Sequence, residues 1–187
     1  MDLSFGPQYE SFRQEVRDFI HAHRAQAPRG TESRGMDLRD PVLLQWQQLL
    51  IEHGYAGRTI PKEYGGFGAS PDILESRIIA EEFANARLSP GIVGQGIMML
   101  IPTLLEFGTA EQREQFIRPT LYGEIIWCQG YSEPNAGSDL ASLKTHAVLD
   151  GDDWVINGQK IWTSTAHLAD WMFCLVRTEP DAHKHRG

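Results

Sequence analysis

At Gly123 the spacing of apolar residues changes from that of helices to that of strands. A chain that switches period in this way cannot bury its apolar residues in one uniform layer. Before the switch, Tyr9, Phe12, Val16, Phe19 and Ile20 recur at three- and four-residue steps and form one stripe, with Arg13, Glu15, Arg17 and Asp18 off it. An Arg-, Gly- and Pro-rich stretch over 25–40 reads as a connector. Asp40 followed by Pro41 predicts a second helix, which carries Leu43, Leu44, Trp46, Leu49 and Leu50 and ends at Gly54. Ser70 with Pro71 predicts the start of a third, running to about Ala86, and Ile92 to Phe107, closed by Gly108, predicts a fourth. Thr109-Ala110-Glu111-Gln112 is a capping box opening a short fifth. Residues 1–122 are therefore expected to form an all-α helical bundle.

Beyond the switch, residues 125–129, 144–149, 154–157, 159–163 and 171–178 are short segments rich in β-branched and aromatic residues. Asp150-Gly151-Asp152-Asp153 and Asn157-Gly158 separate them as hairpin signals. Residues 123–187 are expected to form a partial antiparallel β-barrel with at least one unpaired edge, so the fold class is α+β. Trp154 and Trp171 are expected in its core.

Bulk properties narrow the function classes. A hydrophobic fraction of 41% with 22% charged residues describes a folded rather than a disordered chain. A formal charge of −8 with no basic stripe argues against nucleic acid as a partner. No apolar run reaches membrane-spanning length and the amino terminus does not read as a secretory signal, so no membrane association and a cytoplasmic location are expected. Cys128 and Cys174 stand far apart without zinc-like spacing, so reduced thiols and no metal site are expected.

Two polar stretches stand out. The first is Cys128-Gln129-Gly130-Tyr131-Ser132-Glu133-Pro134-Asn135-Ala136-Gly137-Ser138-Asp139, and the second is Asn157-Gly158-Gln159-Lys160-Ile161-Trp162-Thr163-Ser164. In the first, Pro134 stiffens a turn, Gly137 lets a ligand approach the backbone, and Ser138 sets a hydroxyl beside exposed NH groups. Trp162 and Ser164 lie two apart on a predicted strand, hence on one face, where an indole and a hydroxyl suit a flat ring with a polar rim. A flavin asks for these features: partners for its pyrimidine edge, an apolar cover for its ring and NH groups for its pyrophosphate. An ordinary polar turn and a core tryptophan would look the same, and the residues alone leave both open.

Taken together, Glu133-Pro134-x-Ala136-Gly137-Ser138-Asp139 and Asn157-Gly158-x-Lys160-x-Trp162-x-Ser164 resemble the acyl-CoA dehydrogenase family. Phe12-Arg13-x-x-Val16-Arg17-x-Phe19, Pro61-x-Glu63-Tyr64-Gly65-Gly66-x-Gly68 and Glu81-Glu82-x-Ala84 resemble the family pattern in order and spacing, so the likeness covers nearly the whole chain. It implies FAD as cofactor, held by Gln129, Gly130, Tyr131, Ser132, Gly137, Ser138, Trp162, Thr163 and Ser164. Tyr131 and Ser132 are implied near the pyrimidine edge and the Ser164 hydroxyl near N5. Ser132 and Ser164 stand where many relatives carry threonine, which keeps the hydroxyl.

The same resemblance places Ser138 close to both cofactor phosphate and acyl-CoA, and sets Gln95 and Met99, in the Gly- and Met-rich fourth helix, at the acyl pocket. The implied reaction is α,β-dehydrogenation of an acyl-CoA thioester in lipid degradation: a carboxylate takes the α proton and the β hydrogen leaves as hydride to the flavin. An acyl-CoA oxidase, or a non-catalytic flavin-binding subunit paired with an active homologue, would share these motifs. The implied partners are an electron-transfer flavoprotein as acceptor and further copies in a homo-oligomer.

The family's base is a glutamate in a carboxy-terminal helical domain to which no residue here corresponds. The chain is thus expected to be the amino-terminal, inactive portion of a longer product. No catalytic residue is assigned: Glu133 reads as structural, and His167 as a loop histidine without a placed partner.

Overall fold

The computed structural model describes residues 6–28 and 38–187, which form two compact units divided between Ile125 and Ile126. The expected connector over 25–40 falls largely outside the described residues.

The helical unit contains α1 (Pro7–His23), α2 (Pro41–Glu52), α3 (Ile73–Ala86), a π-helical turn (Gly96–Leu100), α4 (Ile101–Phe107) and α5 (Ala110–Leu121). The stripe read on α1 is the stripe that packs. Val16, Phe19 and Ile20 meet Trp46 and Leu50 of α2, Ile78 and Phe83 of α3, and Leu88. Phe19 lies at the centre, its ring 4.6 Å from that of Tyr55, 5.9 Å from Trp46 and 6.3 Å from Phe83. Glu82, buried on α3, binds Arg13 (2.6 Å) and Arg17 (2.8 Å) of α1 and fixes the rotation of one helix on the other. Gln47 joins three segments: its amide donates to the Leu121 carbonyl (2.8 Å) and accepts from the Ile92 backbone NH (2.8 Å).

Local signals set most helix ends. Asp40 accepts from the Val42 backbone NH at 2.8 Å, and both halves of the Thr109/Gln112 box are made, at 3.2 and 3.0 Å. The third helix begins later than expected. Asp72, not Ser70, is its N-cap, accepting from Leu74 (2.8 Å) and Glu75 (3.0 Å) and receiving the Tyr9 hydroxyl of α1 (3.1 Å). The backbone bond from Glu75, more than any other cause, holds the Asp72 carboxyl below its ordinary value.

The fourth helix also departs from expectation. Residues 91–94 are not helical, and the next turn is a π-turn in which the Ile101 NH reaches the Gly96 carbonyl five residues back. Gly94 and Gly96 weaken helical propensity here and Pro102 withholds a donor, which favours one extra residue in the turn.

The second unit holds β1 (Trp127–Gly130), β2 (His146–Asp150), β3 (Asp153–Asn157) and β4 (Trp171–Cys174). β2 and β3 form an antiparallel hairpin turning at Gly151, whose φ of 65° is easy only for glycine. β1 and β4 pair in parallel, Trp127 opposite Trp171 and Gly130 opposite Cys174. A partial antiparallel barrel is thus replaced by two two-stranded sheets with no closed barrel, joined where Arg177 bonds on both sides of His146. Trp154 and Trp171, expected in the core, are 55% and 49% exposed. The buried residues of this unit are instead Ile126, Trp127, Cys128, Gly130, Ala136, Leu143 and Ala147, with Glu133 and Thr145 among them.

Residues 159–163 are not a strand, and Asn157-Gly158 does not turn a hairpin. A Cβ on Gly158 would lie 2.2 Å from the Thr145 hydroxyl oxygen and 2.6 Å from its Cα, so this glycine lets the chain lie against the segment before β2. Residues 159–170 run irregularly, with Trp162 at φ 58° and Thr165 at φ 66°.

Candidate functional site

The two polar stretches meet. After β1 the chain makes a short turn in which Glu133 and Ala136 exchange backbone hydrogen bonds of 2.8 and 3.1 Å. Lys160 and Ile161 lie along its first limb. The Ile161 NH donates to the Ser132 carbonyl (2.8 Å), and the Lys160 ammonium donates to the Tyr131 carbonyl (3.0 Å) and the Glu133 carboxylate (2.9 Å). Both charged side chains are only 8% exposed.

Glu133 is tied in further by the backbone NH groups of Lys144 (2.7 Å) and Thr145 (2.8 Å). Burial, the largest influence on its carboxyl, raises its pKa. Hydrogen bonds from Thr145, Lys160 and the Lys144 backbone outweigh that and bring it to about 2. A carboxylate held this firmly is not a proton acceptor for chemistry near neutral pH.

Around this junction the predicted contact residues fall into different environments. Tyr131 is half-buried, its ring edge-on to Phe173 at 5.6 Å, and burial raises its phenol. Gly130 is accounted for by packing: a Cβ there would lie 2.6 Å from the Met172 sulfur on β4. Gly137 faces open space, with nothing within 4 Å of where a Cβ would sit. Gln129, in β1, is half-buried, and Ser138 is exposed. The hydroxyls of Ser132, Ser138, Thr163 and Ser164 make no hydrogen bond to any described residue.

Trp162 is 83% exposed on a left-handed backbone. The reading of Trp162 and Ser164 as neighbours on one strand face is therefore replaced by a tight turn, in which the Ser164 NH returns to the Trp162 carbonyl (2.9 Å). Gln95 lies just before the π-turn of the helical unit and Met99 within it; Met99 is half-buried and its carbonyl accepts from the Thr103 hydroxyl (2.8 Å). Sequence reasoning missed this turn and gave Lys160 no task. The glycines at 94 and 96 were the available signal for the first; nothing local signals the second.

These donors suit a flat, polar-rimmed ring carrying phosphates. An exposed indole next to a backbone-lined turn, solvent-facing hydroxyls and clear space at Gly137 are features that FAD could use. None of the predicted contact residues lines the cleft of about 390 Å³ on this unit, which is bordered by Lys144, His146, Arg177 and Lys184. No described helix is long and apolar enough to cross a membrane.

Comparison with known proteins gives two family matches: residues 6–124 to the acyl-CoA dehydrogenase N-terminal domain and residues 128–187 to the middle domain. The acyl-CoA dehydrogenase IpdE1 of Mycobacterium tuberculosis is 41% identical over 95% of this chain and 47% of its own length. Among solved structures, the ChsE4-ChsE5 complex of the same organism superposes with a TM-score of 0.73 at 38% identity, covering 100% of this chain and 46% of the other. A structure described as the Tcur3481-Tcur3483 steroid ACAD gives 0.70 at 36% identity, covering 100% and 47%. The chain spans about half the length of the relatives it matches.

Proposed function

The chain belongs to the acyl-CoA dehydrogenase family, and from that premise we propose that it forms part of an FAD-dependent enzyme that desaturates an acyl-CoA thioester between its α and β carbons. The observation that carries the reading is Trp162. A non-glycine residue at φ 58° costs about 1–2 kcal/mol, and this one also leaves an indole 83% exposed; a face that meets a flat ring gives both a purpose. FAD, when bound, supplies acceptance of the hydride.

The residues of this chain bind and orient. Trp162 covers the ring, and Tyr131, Ser132, Thr163 and Ser164, with the backbone of Gln129 and Gly130, meet its edges. Gly137 and Ser138 meet phosphate, Ser138 also meeting acyl-CoA, and Gln95 and Met99 border the acyl group. We assign no catalytic base to this chain, Glu133 being held ionised by its own hydrogen bonds. An electron-transfer flavoprotein is the proposed acceptor, in a protein of the cytoplasm.

A second reading has specific support. Two of the similar structures are described as pairs of named components, ChsE4-ChsE5 and Tcur3481-Tcur3483, which favours pairing with a different homologous subunit over assembly from identical copies. The description of the second as a steroid ACAD favours a bulky steroid-derived acyl group over a short linear one. FAD titration of the purified chain, followed by flavin fluorescence, tests the first reading: saturable, reversible binding that weakens at least tenfold in Trp162→Ala is expected. Absence of saturable binding would overturn it. Co-expression with candidate homologous subunits, followed by native mass measurement, tests the second, and a homo-oligomer alone would refute it.

A further inference from the structure

We propose that the buried pair Glu133–Lys160 is a positioning device that fixes the edge of the cofactor site, a deepening that rests on the flavin reading. Three chain segments converge on these two side chains. Glu133 receives the backbone NH groups of Lys144 and Thr145, and Lys160 bridges from that carboxylate to the Tyr131 carbonyl. The bond from the Ile161 NH to the Ser132 carbonyl lies one residue further along. The backbone at 131–132, proposed at the ring edge, is thereby held against the segment that presents Trp162. No regular strand pairing does this, since residues 158–170 form no strand.

Burying two opposite charges is a poor way to gain stability, because their desolvation cancels much of the attraction; such a pair is better at specifying one arrangement among several. Here the arrangement specified is the spacing between the turn at 131–136 and the turn at 162–165. Apolar replacements of similar volume would fill the space but leave the Tyr131 carbonyl without its donor and the two limbs free to slide.

The test compares Lys160→Met, Lys160→Arg and Glu133→Gln with the unaltered chain. Three quantities are followed: FAD affinity by fluorescence titration, the visible absorption band of bound FAD, and hydrogen exchange at the Ile161 amide by NMR. Lys160→Met and Glu133→Gln are expected to speed Ile161 exchange at least tenfold, weaken FAD at least tenfold and shift the band. Lys160→Arg, which keeps the charge and donors, is expected within about threefold on both counts. Unchanged exchange and affinity in Lys160→Met overturn the proposal, as does weaker binding with unchanged exchange.

An unaltered chain that fails to bind FAD sinks the flavin reading by itself. The exchange data then decide for the clasp alone, tenfold acceleration sustaining it and no change ending it. If Lys160→Met does not fold, by circular dichroism and tryptophan emission, Glu133→Gln decides in its place.

Discussion

Glu133 makes the stability of the sheet unit depend on pH with a sign set by its surroundings. In the unfolded chain its carboxyl titrates near the ordinary 4.5; in the folded unit it is held at about 2. Between these values the unfolded state binds more protons, so acid favours unfolding. The stabilisation is fully present above about pH 4.5 and disappears as pH falls toward 2. At about 1.4 kcal/mol per pH unit the separation corresponds to about 3 kcal/mol at most. The Lys184 ammonium holds the Asp139 carboxyl below its ordinary value, so that pair also loses stabilisation in acid and the measurement must be a difference. Urea unfolding of the chain and of Glu133→Gln, followed by tryptophan emission at pH 7, 5, 4, 3 and 2.5, supplies it. Trp127, Trp154, Trp171 and Trp162 all lie in this unit, leaving only Trp46 elsewhere, so emission reports mainly on the relevant half. The glutamine variant is expected to be less stable at neutral pH by up to about 3 kcal/mol, with the gap closing steadily below pH 4.5. A gap that stays constant from pH 5 to 2.5 would show that the charge of Glu133 does not hold the turn.

Three other perturbations have expected outcomes. Gln47→Leu strands the Leu121 carbonyl and the Ile92 NH without partners, and chemical denaturation of the helical unit should show a loss of about 2–4 kcal/mol. Gly158→Ala forces a methyl group against Thr145, whose Cα is 2.6 Å away, and should lower the melting temperature of the sheet unit, as scanning calorimetry would register. Trp162→Ala removes a side chain 83% exposed, so it should change unfolding free energy by no more than about 0.5 kcal/mol while abolishing most FAD affinity. A large stability loss would place the indole in the core instead.

The parts of the fold that were legible are those whose causes are local. The α1 stripe needs only side chains three and four apart, and the Thr109/Gln112 box needs only its own four residues. The start of α3 was misplaced by two residues because Ser70 and Asp72 are both good cap residues; Asp72 makes the cap, to Leu74 and Glu75, and also receives the Tyr9 hydroxyl from 63 positions away. Residues 159–163 carry strand-like composition, yet Lys160 and Ile161 are claimed by Tyr131, Ser132 and Glu133, 27 to 29 positions earlier. For the candidate site the motif letters mark the turn at 131–136 and Trp162 as contact residues. They did not reveal that Gly130 answers to Met172 while Gly137 opens on empty space, since both read simply as glycine.

Trp162 and Thr165 both hold backbone angles that glycine or asparagine would adopt more easily. Selection for thermal robustness alone would therefore erode this corner, and a library sorted by heat survival should fill it with those two residues. A library sorted by retention of a yellow colour should keep the indole. Comparing the two would measure how much robustness the protein forgoes to keep one aromatic surface facing outward.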